Sequence, residues 1–246
     1  MILFVFEGEK QEPNIFNALK EIFNIQEDIV CTYNTNIHSL YKELSEQGWD
    51  LFLTLVEHLH KRGEHTFDRY KSSDITQIYL FFDYDLHDKH ISLECLNSEI
   101  KDMLAFFNEE TDNGKLYINY PMVESIRYTK QLPDDQYSTY VIKRADCCNF
   151  KRKTSEFSYY ADYRFLLSKD THGTSNPHAL KNWEYLKRQN IYKANLICND
   201  QYELPTKKES ITQKNIFQSQ LDKYLIPNDE IAILNAFPIF LFEYFK

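Results

Sequence analysis

The hydrophobic residues of this chain fall into two rhythms. Short apolar runs occur at residues 2–6 (ILFVF), 28–33 (DIVCTY), 76–85 (TQIYLFFDYD) and 115–120 (KLYINY). They are rich in β-branched and aromatic residues, as strands buried on both faces are. Between these runs the apolar positions recur every three or four residues. Ile15, Phe16, Leu19, Ile22 and Phe23 predict a helix within 12–24, and Ile37, Leu40, Tyr41 and Leu44 predict another over 37–47. Residues 51–61 form a third, and Leu93, Leu96, Ile100, Met103, Leu104 and Phe107 a fourth over 91–107. Pro13 and Pro121 suit a first helical turn, so residues 121–130 (PMVESIRYTK) are expected to open a further helix.

Strand and helix thus alternate through residues 1–130, which predicts an α/β domain with a mostly parallel sheet flanked by helices. In such sheets ligands bind beyond the carboxyl ends of the strands. Residues 131–246 read as a mainly helical C-terminal region packed on that domain. After an irregular polar stretch (131–150), helical segments are expected around 153–168, 176–190, 209–223 and 228–245. Asn228-Asp229-Glu230 is a credible N-cap for the last. That segment is apolar on nearly every side, so it belongs inside the protein or against a partner. No internal repeat or low-complexity linker is present.

Composition narrows the function classes. Only five glycines occur, and neither G-x-x-x-x-G-K-[ST] nor G-x-G-x-x-G is found, which argues against a P-loop or dinucleotide fold. The formal net charge of -9 does not suit a protein that coats nucleic acid. It is compatible with an enzyme whose carboxylates hold a cation, because the ion inverts the local field. Five cysteines without a C-x-x-C pair support neither a disulfide framework nor a four-cysteine zinc site. A reducing cytoplasm is the expected setting, with no membrane span and no signal peptide.

The candidate chemistry lies where strands end. The first strand stops at Glu7-Gly8-Glu9 and the third at Asp83-Tyr84-Asp85. In an extended strand residues i and i+2 face the same side, so Asp83 and Asp85 are expected to address one point, and Glu7 joins them if the two strands are neighbours. A lone D-x-D is more often a polar strand end than a metal site. The ordered combination with a strand–Glu-Gly–helix about 75 residues earlier is more specific. Hard oxygen ligands of this kind suit Mg²⁺ or Mn²⁺.

Three segments carry a family resemblance. FVFEGEKQEPNIFNAL resembles the EGE-x-x-E-P-x-x-F opening of Toprim-domain proteins in the RloB-like and OLD-like groups. IYLFFDYDLHD resembles their D-x-D strand, and LYINYPMVESI their later strand and Pro-x-x-Glu turn. The resemblance covers residues 1 to about 130. It implies a Toprim-like fold that binds Mg²⁺ through Glu7, Asp83 and Asp85, with Glu124 matching the later glutamate. It further implies a nuclease acting on DNA or RNA in anti-phage defence beside a partner ATPase. The topoisomerase and primase branches fit poorly: their accessory domains are lacking, and residue 87 is His where a D-x-D-x-D run has its third acid.

Other residues bear two readings. Lys10 is a candidate phosphate contact. For Glu12, complementing the positive end of the helix is the favoured role, and for Glu124 that role and an active-site role stand level. His87 and Asp88 extend the site or belong to a solvated loop, with the loop favoured. Lys143, Arg144, Lys151, Arg152 and Lys153, with Phe150 among them, form the best candidate nucleic-acid contact in an acidic chain; a solvated basic face explains them equally. His58, His60 and His65 suggest zinc, but H-x-H on a helix does not place both rings on one face, and a polar surface segment is the expectation. Cys147 and Cys148 read as inert thiols. Two functions follow: a Mg²⁺-dependent endonuclease, or a non-catalytic Toprim-like binding or sensor subunit. Either is compatible with a homo-oligomer.

Overall fold

A computed structural model describes residues 1–25, 29–86, 92–169 and 173–245. Five strands form the central sheet: β1 (Ile2–Phe6), β2 (Ile29–Thr32), β3 (Gln77–Asp83), β4 (Asn108–Glu109) and β5 (Gly114–Asn119). Their order is β2-β1-β3-β5-β4, parallel throughout except for the short edge strand β4. The architecture is therefore α/β with a mostly parallel sheet and helices on its faces. From β1 the chain passes through α1 (Gln11–Phe23) to β2 on one side. It then returns through α2 (Ile37–Glu46) and α3 (Leu51–Lys61) to β3 on the other side of β1. This reversal makes a topological switch point between β1 and β3, where open α/β sheets bind their ligands.

Alternation along the strands sorts the core into two layers. Phe4, Phe6, Tyr79, Phe81 and Tyr117 share one face. Phe16 of α1 covers part of it, with ring centroids 4.2 Å from Phe4 and 5.3 Å from Phe6. The rest is covered by a C-terminal helix. The other face meets a layer that includes α4 (Leu93–Phe106), which packs on β5 and α2.

The C-terminal region supplies α5 (Phe150–Phe157), α6 (Ala179–Asn199) and α7 (Gln213–Gln220). A π-helical stretch (Leu221–Leu225) continues α7 into the single turn α8 (Ile226–Asn228). The final stretch departs from the expected continuous helix over 228–245. It contains β7 (Glu230–Ala232), antiparallel to β6 (Val141–Lys143), and then α9 (Ala236–Tyr244). The expected N-cap at Asn228-Asp229-Glu230 is instead a left-handed Asp229 (φ 53°) leading into a strand. The cap is Asn235, whose side chain accepts from the Phe237 N–H.

α9 is apolar all round because it lies inside the protein. Phe240 sits 5.2–5.9 Å from the rings of Phe4, Tyr79, Phe81 and Tyr117, mostly edge-to-face. Truncating such an aromatic to alanine costs about 3–5 kcal/mol. The hydrophobicity read as a possible partner face is thus spent on the core.

Two further expectations fail locally. Residues 121–130 form no α-helix but a 3₁₀ turn at Val123–Arg127. The Val123 carbonyl, which a helix would need, accepts from the Asn235 amide instead. Residues 153–168 divide into α5 and a 3₁₀ turn at Tyr163–Leu166. Among the described residues no helix is long and apolar enough to cross a membrane.

Candidate metal centre

Glu7 and Asp83 end the two strands that flank the switch point. Sheet pairing carries on to Glu7, whose N–H donates to Phe81 O at 3.0 Å while its carbonyl accepts from Asn34 N at 2.7 Å. Its side chain turns across the sheet edge, and Oε2 accepts from the Asp83 N–H at 2.9 Å. Asp83 lies opposite Asn119 in the β3–β5 register, and Asn119 Nδ2 donates to Asp83 Oδ1 at 3.0 Å.

Two more carboxylates come close enough to matter. Glu12, in the first turn of α1, is 5% exposed, and Glu124, from the 3₁₀ turn after β5, is 3% exposed. The Glu12 carboxylate folds back over Gly8: a Cβ placed on Gly8 would stand 2.6 Å from Glu12 Oε2. A side chain at Gly8 would displace the Glu12 carboxylate from this position. Glu124 Oε1 has Lys151 Nζ at 3.6 Å, while its Oε2 is buried with no hydrogen-bond partner.

Burial, reinforced by neighbouring carboxylates, raises three of these acids. Burial pushes the Glu7 carboxyl up to about 8; the Asp83 N–H opposes this, and Glu12, Asp85 and Glu124 add to it. Asp83 is raised well above the carboxylate range, first by burial and then by Glu7, Glu12 and Glu124. Glu12 is raised by burial and by Glu124, against its own N–H, that of Gly8 and Lys151. Buried acids that repel one another, with few donors among them, suit a cation or shared protons.

Asp85 does not take the place expected for it. β3 ends at Asp83, and the Asp85 N–H bonds back to the Asp83 carbonyl at 3.0 Å. That tight turn ends the extended geometry on which the i, i+2 argument depends. The Asp85 carboxylate instead accepts from Asn36 Nδ2 at 3.1 Å at the start of α2, and its carbonyl meets His38 Nε2. It reaches Glu7 through the field, not through a shared ligand point. Among the described residues only His60, His65 and Asp68 bring three ligand atoms within 4.8 Å of one another; no trio drawn from Glu7, Asp83, Asp85, Glu12 and Glu124 does. The donor chemistry around Glu7, Asp83, Glu12 and Glu124 still fits a hard cation: all are carboxylates, and one oxygen is buried without a partner. His87 and Asp88 lie outside the described residues.

The basic candidates divide. Lys151, at the start of α5, reaches the carboxylates. Lys143 is paired with Glu230 at 2.9 Å and Arg144 with Asp229 at 2.6 Å. Arg152 is paired with Glu156 at 2.7 Å and Lys153 with Asp146 at 3.2 Å. Phe150 is buried and stacks on Tyr128, so it is not available to a base. Lys10 is exposed at the mouth of α1, while Glu9 turns away to Asn34 and Arg62. His58 is no surface residue: it is buried between Glu43 and the Tyr33 carbonyl.

Sequence reasoning passed over Asn119 and Asn235. Both are fully buried, and Asn119 Oδ1 accepts from Asn235 Nδ2 and Ala236 N at 3.0 Å each. This fixes the Asn119 amide with its NH₂ toward Asp83. The one available signal was an asparagine ending a buried apolar run, opposite the first acid of the D-x-D. Comparison with family models, with curated proteins and with solved structures found no match.

Proposed function

We propose that the chain is a divalent-metal-dependent endonuclease, cutting DNA or RNA, with Mg²⁺ or Mn²⁺ at the Glu7–Asp83 edge of the sheet. Its proposed setting is anti-phage defence under a partner ATPase. That setting rests on the three Toprim-like motifs; the chemistry rests on the site. The observation that carries the reading is a set of buried, mutually repelling acids at the β1/β3 switch point, with Glu124 Oε2 lacking a hydrogen-bond partner.

Glu7, Asp83 and Glu124 would hold the ion, with Glu12 beside them. When bound, such an ion supplies charge stabilisation at a phosphoryl group. The remaining work falls to the protein. Asn119 occupies Asp83 Oδ1 and so orients the carboxylate. Glu7, whose carboxyl burial raises to about 8, would release its proton on holding the ion. Lys151, 73% exposed along its side chain, stands where a phosphate would meet the carboxylate edge.

The test is cleavage of tRNA, plasmid and single-stranded substrates with and without Mg²⁺ or Mn²⁺. Cleavage that needs the ion and disappears in Glu7→Gln and Asp83→Asn supports the reading. Full activity in either variant sinks it. A second reading, a non-catalytic Toprim-like subunit, is favoured by the pairing of Lys143, Arg144, Arg152 and Lys153 with acids, which leaves no uncompensated basic track. In that reading the carboxylates are structural, so it predicts neither ion binding nor cleavage, even with the ATPase present.

A further inference from the structure

A second group of potential ligands lies outside the carboxylate edge. His60, His65 and Asp68 each offer a ligand atom, and these atoms all lie within 4.8 Å of one another. His60 Nε2 meets one Asp68 oxygen at 2.5 Å and His65 Nδ1 meets the other at 3.0 Å, with ring centroids 4.8 Å apart. A single exposed His–carboxylate pair is ordinary and contributes little. Here one carboxylate is held on both oxygens by imidazoles that are themselves in contact.

Local structure places the ligands: His65 and Asp68 share one turn, with the Asp68 N–H on His65 O at 3.3 Å, and His60 stands apart on a helix. His60 belongs to the last turn of α3. Gly63, at φ 76°, turns the chain, with its N–H on His60 O and the Glu64 N–H on Leu59 O, both at 2.9 Å. Phe67 is buried at 2% exposure, packs against Phe52 at 5.9 Å and pins the residue just before Asp68. The ligands therefore sit on a helix end and on an anchored turn, which lowers the ordering cost of binding.

We propose that His60, His65 and Asp68 form a second cation site, separate from the carboxylate edge, that takes a borderline transition ion of the Zn²⁺ class. Two imidazoles and one carboxylate suit Zn²⁺ and not Mg²⁺, and three protein ligands leave a position for solvent. Binding there braces the turn that carries Arg62. Arg62 in turn holds Glu9 at 2.7 Å and the Thr32 carbonyl at 3.0 Å, beside the first acidic motif.

The experiment titrates Zn²⁺ into the full chain in competition with a chromophoric chelator. The background is Asp83→Asn, so that the carboxylate edge does not contribute. One Zn²⁺ equivalent per chain is expected, unaffected by excess Mg²⁺ and weakened at least tenfold by each of His60→Ala, His65→Ala and Asp68→Asn. The three side chains are 42%, 67% and 48% exposed, so the variants keep the core intact, which circular dichroism checks. No Zn²⁺ equivalent in the Asp83→Asn background, or binding unchanged in the three variants, overturns the proposal.

Discussion

Asp83 and Asp134 are both 6% exposed, and the protein treats them in opposite ways. Asp134 collects donors from Thr129 Oγ1, Lys130 N, Gln136 N and Tyr140 Oη, at 2.8–3.2 Å. Burial would raise its pKa, but these bonds outweigh burial and hold it below the usual range. Asp83 receives one side-chain donor, Asn119, and faces Glu7, Glu12 and Glu124. The fold can therefore satisfy a buried aspartate when its role is to tie a turn. At the carboxyl edge of the sheet it withholds donors and gathers like charges. An arrangement that costs stability in the ion-free state points to a ligand that relieves it.

The contrast can be broken most forcefully by neutralising each acid in turn. Asp83→Asn is expected to abolish ion-dependent cleavage, a loss of at least about 100-fold, while its thermal midpoint holds or rises. Asp134→Ala is expected to do the reverse. It leaves Lys130 N, Gln136 N and Tyr140 Oη without their acceptor, while Thr129 Oγ1 keeps Gln131 O, so stability falls by about 2–4 kcal/mol in urea titrations, with activity per folded molecule retained.

A pH titration sharpens the difference. Glu7 rises from 4.5 to about 8 on folding, so between those values the folded state holds a proton that the unfolded state has lost. Its contribution is complete below 4.5 and declines as pH climbs toward 8. Urea denaturation of the ion-free protein should show that decline, Glu7→Gln should flatten it, and Mg²⁺ should offset it. A smaller effect belongs to Asn119→Ala, which leaves Asp83 without its orienting donor. A drop of about 10-fold in ion affinity, as for partners that orient ligands, is expected by calorimetry. The smallest effect belongs to Lys151→Met. Removing an exposed cation 3.6 Å from Glu124 should tighten ion binding by a few-fold at most while weakening substrate binding.

The acids at the sheet edge differ in how visible they were in the sequence. Glu7 and Asp83 each end an apolar run, and period and composition were enough to place both on strands. Strand order was not legible, because pairing is set by crossovers rather than by local pattern, yet it is what brings β1 beside β3. Asp85 was misplaced because the turn at Tyr84 depends on backbone bonds that D-x-D spelling does not reveal. Glu12 read as a helix-end charge, since nothing local shows that its carboxylate folds over Gly8. The Asn119–Asn235 contact joins residues 116 apart and left no periodic trace. The closing helix was mistaken in extent for a similar reason: Asn235, not Asn228, caps it, a choice made by the buried network around Asn119 and Ser125.

In the proposed function the acids at the β1/β3 edge await a cation. The most direct measurement is calorimetric titration of Mn²⁺ into the protein at pH 7, in two buffers of different ionisation enthalpy. Saturable binding with net release of protons, from the Glu7 and Asp83 carboxyls that burial and neighbouring acids raise, is expected, with loss of both signals in Asp83→Asn. No binding, or binding unchanged in Asp83→Asn, would contradict it.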